Sequence, residues 1–156
     1  MRKLVIDRAA IKNNLTVIKD RAAGAAIYGV VTGDGQGVGA AALAQLLRDE
    51  GIGRFAVSEV SEAEALRQAG FVDEEILMLR ATTDREELER LVDLNVVCTV
   101  SSVDTGMALN ALAGNRSTVA EAHIQVDTGM GFGGFLVGEP EKILLAYRSL
   151  PNVALS

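Results

Sequence analysis

Residues 25–50 read Ala25-Ala-Ile-Tyr-Gly-Val-Val31, Thr32-Gly-Asp-Gly-Gln-Gly-Val-Gly39 and Ala40-Ala-Ala-Leu-Ala-Gln-Leu-Leu-Arg-Asp-Glu50. A short apolar run runs into a glycine-dense turn, which gives way to a segment whose Ala41, Leu43, Ala44 and Leu47 suit one face of a helix closed by Gly51. This is a strand–loop–helix unit. An α/β protein usually places its ligand site in the loop that follows such a strand. Gly33, Gly35, Gly37 and Gly39 permit positive φ and close backbone approach, yet no Lys, Arg or His stands among them to hold charge or attack a carbonyl. The loop reads as a site without its reactive groups.

The same phrase recurs on both sides. Upstream, Asp7–Ala22 carries helical spacing that predicts an opening helix with Ala10, Ile11, Leu15 and Ile18 on one face. Downstream, Arg54–Glu59 reads as a strand and Ser61–Ala69 as a helix, with Ser61 and Glu64 as a capping box and Gly70 as the stop. Glu75–Leu79 with Asp84–Leu91, Val96–Val100 with Val103–Leu112 (ended by Gly114), and Ala120–Asp127 with Glu139–Ser149 repeat the unit. Pro151-Asn152 then opens a sixth strand, Val153–Leu155. Strands and helices alternating at intervals of roughly 20 to 30 residues predict parallel βα units with right-handed crossovers, in an open sheet or a (β/α)₈ barrel. A complete barrel takes about 250 residues. Residues 1–156 are therefore expected to form one α/β domain of TIM-barrel type, incomplete at about five units plus the start of a sixth strand. Its open edge is expected to be covered by another copy of the chain or by a partner.

Composition narrows the partners. The chain has 156 residues, 49% of them apolar, with only two prolines and a net charge of −6, which fits a folded domain rather than a disordered one. The acidic balance offers no electrostatic footprint for nucleic acid or anionic lipid. No apolar run approaches the ~20 residues of a membrane-spanning helix. A single Cys98 and an N-terminus, Met1 to Asp7, without the apolar core of a signal peptide predict a cytoplasmic protein.

The fifth strand departs from the others. Glu121, His123, Gln125 and Asp127 alternate with Ala122, Ile124 and Val126, although parallel strands are normally apolar on both faces. One face of it is predicted to be wet or functional, and in a barrel that face is the interior, with active sites at its C-terminal rim. Residues 128–134, Thr-Gly-Met-Gly-Phe-Gly-Gly, supply a second flexible rim loop.

Four stretches together resemble the N-terminal barrel domain of alanine racemase and related pyridoxal-phosphate enzymes. They are Ile6-Asp7 with Ala10-Ile11 and Asn14-Leu15; Phe55-Ala56-Val57 with Glu62-Ala63 and Leu66-Arg67; Thr99-Val100-Ser101-Ser102; and, most specific, Val126-Asp127-Thr128-Gly129-Met130-Gly131. The resemblance covers essentially the whole chain and implies the barrel fold, pyridoxal phosphate as cofactor and amino-acid racemisation. The departures fall on functional positions. The family's first strand ends in a lysine that forms the Schiff base, where this sequence has Thr32, and the family tyrosine of the same loop falls at Gln36. Phe132 stands where the resemblance implies an arginine, and Gln125 where it implies the lysine that orients that arginine. A hydroxyl cannot form an imine, so Thr32 cannot act as the family lysine does. The family's remaining phosphate and pyridine contacts, and the tyrosine acid/base of its C-terminal domain, fall beyond Ser156.

Each feature also has a plain structural reading. The glycines can simply let a helix pack on strand one, and His123 can be a hydrogen-bonded barrel residue. Asp127 is expected to shape its turn by accepting backbone hydrogen bonds, Cys98 to be a buried small hydrophobe, and Asp84–Arg90 to be a solvated helix face. Three functions follow: a racemase-like binding or regulatory module without catalysis, a split half or fragment completed by further sequence or a partner, and an isomerase with a substitute for the lysine. The first two are compatible, and together they are the expected function. No cofactor, no catalytic residue and no metal site is expected, although Gln36, Gln125 and Asp127 occupy family cofactor positions and the Gly129–Gly134 amides offer a geometry open to anions such as pyridoxal phosphate.

Overall fold

The structure, a computed structural model, describes residues 4–156; Met1, Arg2 and Lys3 of the N-terminal stretch read above lie outside the described residues. The opening helix α1 (Arg8–Ala22) starts at Asp7, whose carboxylate accepts hydrogen bonds from the amides of Ala9 and Ala10 at 2.8 and 3.2 Å. Its predicted apolar face is only half seated. Leu15 is buried and Ile11 half-buried, but Ile18 is 48% exposed.

The strand–loop–helix unit follows as β1 (Gly29–Val30), a turn α2 (Thr32–Gln36) and α3 (Ala40–Asp49). The ladder of β1 is shorter than the predicted Ala25–Val31. β2 (Arg54–Val57) begins opposite Tyr28, so earlier residues meet no partner. Next come α4 (Val60–Gln68), β3 (Glu75–Met78), α5 (Arg85–Asp93), β4 (Cys98–Val100), α6 (Val103–Asn115) and β5 (Ala120–Ile124). After them lie β6 (Val126–Asp127), β7 (Phe135–Leu136), α7 (Pro140–Ser149) and β8 (Val153–Leu155).

All the strand pairings are parallel. β1-β2-β3 and β4-β5-β8 form two three-stranded sheets, bridged where Leu77 meets Val97 through Met78 N–H to Val97 O at 2.9 Å and Val97 N–H to Ile76 O at 2.8 Å. The strands thus run in sequence order around an arc of six, the partial TIM-type barrel expected of the βα rhythm. Between arc and helices the core is apolar: Phe55, Phe71, Leu66, Ile76, Met78, Leu91 and Leu109 are fully buried, with Phe55 and Phe71 edge to face at 5.3 Å. Arg67 fastens the β3 and β4 approaches, donating to the carbonyls of Glu74, Leu94 and Asn95, each at 2.8 Å.

Three local readings are corrected. The cap of α4 lies two residues earlier than Ser61 and Glu64: Glu62 turns back to accept from the amides of Ser58 and Glu59 at 3.0 and 3.1 Å, leaving Ser61 exposed on the helix surface. α6 runs through Gly114 to Asn115, since the glycine costs a helix less than its packing returns. The fifth strand is not continuous to Asp127. It breaks at Gln125, after which β6 pairs with the short β7 that the sequence reading missed.

Candidate functional site

Two loops build the C-terminal rim. The first follows β1. Gly33, Asp34, Gly35 and Gln36 have φ of 62°, 52°, 63° and 60°, one turn of left-handed helix, closed by Gly35 N–H to Val31 O and Gly37 N–H to Gly33 O, both 3.0 Å. A side chain at Gly35 would place Cβ 3.0 Å from the Ala40 nitrogen and 3.3 Å from Leu43, so the glycine lets the turn lie against α3. Asp34 secures the junction by accepting from the Ala40 amide at 2.9 Å. Thr32 is half-buried at the head of this turn, and Gln36 is exposed, its amide reaching back to the Thr32 carbonyl at 3.4 Å.

The second loop joins β6 to β7. Asp127 accepts from the amides of Gly129 at 2.8 Å and Gly131 at 3.1 Å, and these bonds, that from Gly129 foremost, hold its carboxyl below the usual carboxylate range. Asp127 thus shapes its turn, and the Gly129 and Gly131 amides are committed to it. At Gly134, with φ +114°, a Cβ would sit 2.8 Å from the Gln125 carbonyl oxygen and 2.9 Å from the Asp127 nitrogen. That contact is what lets β7 return beside β6 across so short a loop.

The ends of β2 to β5 enclose a cleft of about 490 Å³, lined by Ser58, Leu79, Arg80, Ser101, Gln125 and Phe132. Gln125 reaches the Phe132 carbonyl at 3.3 Å, and the Phe132 ring is 79% exposed. Arg80, which sequence reading passed over, is the one cation lining this mouth among the described residues. Its guanidinium forks onto Glu87 at 2.8 and 3.1 Å, lies 3.4 Å from Glu59, and donates to the Ser58 carbonyl at 3.3 Å. The Glu87 bond raises the Arg80 pKa and lowers that of Glu87, so the pair stays charged. The signal in the sequence was a lone arginine directly after strand three. The structure therefore brings Gln125 and Phe132 together with Arg80, while Thr32 and Gln36 stand on the neighbouring turn and the Asp127 carboxylate faces its own loop.

Other candidates take structural places. His123 is half-buried and meets Tyr28 edge-on, with 6.3 Å between ring centroids, in place of the hydrogen-bonded neighbour expected for it. Cys98 is buried and unpaired, its thiol pushed up to about 12 by burial. Arg85 pairs with Glu89 at 2.8 Å and Arg90 reaches Glu64 at 2.7 Å, so the charges of α5 are a solvated face that also ties it to α4.

A parallel (β/α) arc with its loops gathered at the C-terminal rim defines a barrel-type α/β protein. The family model for the alanine racemase N-terminal domain matches residues 6–156, and the chain belongs to that family. Among curated relatives, alanine racemase of Clostridium tetani is 35% identical over 152 residues, 96% of this chain and 38% of the relative. The crystal structure of alanine racemase from Enterococcus faecalis ("E.faecalis") superposes with a TM-score of 0.81 at 32% identity, over 96% of this chain and 41% of that one. A histidine racemase from Leuconostoc mesenteroides reaches a TM-score of 0.83 over 94% of this chain and 39% of that one, at 23% identity, a likeness of fold alone. The chain thus spans less than two-fifths of the length of the curated relative. Among the described residues, no helix is long and apolar enough to cross a membrane.

Proposed function

We propose that residues 1–156 act as an alanine-racemase-type barrel domain that does not carry out pyridoxal-phosphate racemisation by itself and works as a binding or regulatory module completed by a partner. One observation carries the reading: the rim position at the end of β1 holds Thr32, a hydroxyl where the chemistry requires a primary amine. The described lysines stand elsewhere, Lys12 and Lys19 on α1 and Lys142 on α7, where it pairs with Glu139 at 2.7 Å. The rest of the rim agrees. Gln125 and Phe132 are neutral, the Gly129 and Gly131 amides are occupied by Asp127, and Arg80 is occupied by Glu87 and Glu59. These residues do not fit pyridoxal phosphate.

A second reading, a split half or a fragment of an amino-acid racemase whose remaining site lies in further sequence or a partner chain, is favoured by the chain's coverage of only 38% of its relative. The test is alanine racemisation by the purified chain and by Thr32→Lys, each with excess pyridoxal phosphate. Neither is expected to turn over, since the lysine alone restores no cofactor grip. Measurable turnover by Thr32→Lys would overturn the non-catalytic reading.

A further inference from the structure

A chain of hydrogen bonds crosses the rim from α3 to α5. The Ala40 N–H, at the start of α3, donates to the Asp34 carboxylate at 2.9 Å, and the Asp34 N–H donates to Glu62 Oε1 at 3.3 Å. The other oxygen of Glu62 accepts from the amides of Ser58 and Glu59 at 3.0 and 3.1 Å and so closes the first turn of α4. The Ser58 carbonyl accepts in turn from Arg80 Nε at 3.3 Å, while the end of the same guanidinium forks onto Glu87 of α5 at 2.8 and 3.1 Å. Glu59 adds a looser arm to Arg80 at 3.4 Å. Every link lies within residues 34–87.

Two features make one end of this chain depend on the other. Asp34 and Gln36 hold φ of 52° and 60°, which residues with a side chain adopt only where their surroundings impose it. Among the described residues, the Asp34–Glu62 bond is the one hydrogen bond that ties residues 33–38 to anything outside 31–40. Glu62 is itself placed by the Ser58 and Glu59 amides, and Arg80 clamps that dipeptide against α5. With the Arg80 side chain shortened, Ser58 and Glu59 lose their tie to α5. The α4 cap then loosens, and the Glu62 carboxylate no longer has a fixed place from which to hold Asp34.

We propose that Arg80 is a latch that couples the β2–β5 cleft to the first rim loop, holding residues 33–39 in their left-handed turn through Ser58, Glu59 and Glu62. Arg80 lines the cleft and makes no hydrogen bond or ion pair to that loop. A group that enters the cleft and draws the guanidinium off Ser58 and Glu59 is therefore felt across the rim. The Glu59 arm gives first, because it is the longest contact and its side chain is 59% exposed. Arg80 is thus a positioning residue, and the coupling does not depend on the non-catalytic reading above.

The test is amide hydrogen exchange of the full chain, read by mass spectrometry, in the wild type, Arg80→Gln, Glu62→Ala and the double variant. Arg80→Gln is expected to speed exchange of the Gly35, Gly37 and Gly39 amides about tenfold, with residues 98–115 unchanged as the sign of an intact fold. Glu62→Ala is expected to match it, and the double variant to add nothing, since both single changes break one path. Arg85→Gln, which removes only the exposed pair with Glu89, leaves the loop as in the wild type. Where Arg80→Gln does not fold, Glu59→Gln removes the exposed arm alone and is expected to speed the same amides about threefold. Faster exchange confined to residues 58–59 and 84–88, full additivity in the double variant, or a wild-type loop in Glu59→Gln overturns the proposal.

Discussion

The two rim loops are built by one device and differ in what they retain. Against the racemase pattern that the sequence resembles, residues 32–39 differ at the expected lysine and tyrosine positions, Thr32 and Gln36, whereas residues 126–131 follow it almost letter for letter. In each, an aspartate accepts backbone amides and glycines take positive φ: Asp34 on Ala40, Asp127 on Gly129 and Gly131. In this chain the 127–131 motif has a place as turn geometry, through the Asp127 hydrogen bonds and the positive φ of Gly129 and Gly131. The first loop takes a left-handed helical turn from Gly33 to Gln36. Retained sequence here marks backbone shape, and retained activity is a separate question.

That contrast can be broken at its tightest point first. Gly134→Ala drives a methyl group to 2.8 Å from the Gln125 carbonyl at φ +114°, and urea denaturation is expected to show a loss of about 3 kcal/mol as β7 leaves β6. A loss under about 1 kcal/mol would mean that the second loop is not held by this contact. Gly35→Ala meets Ala40 at 3.0 Å in the milder left-handed region, where about 1–2 kcal/mol is expected from the same measurement. A penalty equal to that of Gly134 would erase the ranking between the loops.

The smallest effect is read in pH. The Asp127 carboxyl is held below its ordinary range by the Gly129 and Gly131 amides, so its folded pKa lies under its unfolded one. Its contribution is present above the unfolded value and lost as pH falls through the folded one. Asp127→Asn should flatten the acid side of the stability profile and leave its neutral-to-basic side parallel to the wild type. An unchanged acid limb would remove Asp127 from the account of the second loop.

Much of this was legible in the residues. Period-2 and period-3.6 patterning located the helices and the six arc strands, because burial on one face leaves its mark in composition. The turn-shaping role of Asp127 was also readable from the fifth-strand motif. What the sequence hid were choices between near-equal local options. Asp34 and Gln36 take φ values that only the packing of α3 makes worthwhile, and Glu62 caps α4 where Ser61 offered the more familiar signal. Arg80 reads as an ordinary surface charge until Glu59 and Glu87 are seen around it at the mouth of the cleft. The break at Gln125 depends on Gly134, nine residues away along the chain, and no local period reports such a contact.

The central claim is tested most directly by native mass spectrometry of the purified chain incubated with excess pyridoxal phosphate. The account predicts a spectrum with no added cofactor mass in any assembly state. A pyridoxal phosphate adduct that survives gas-phase activation would contradict it, because a cofactor site would then exist despite Thr32.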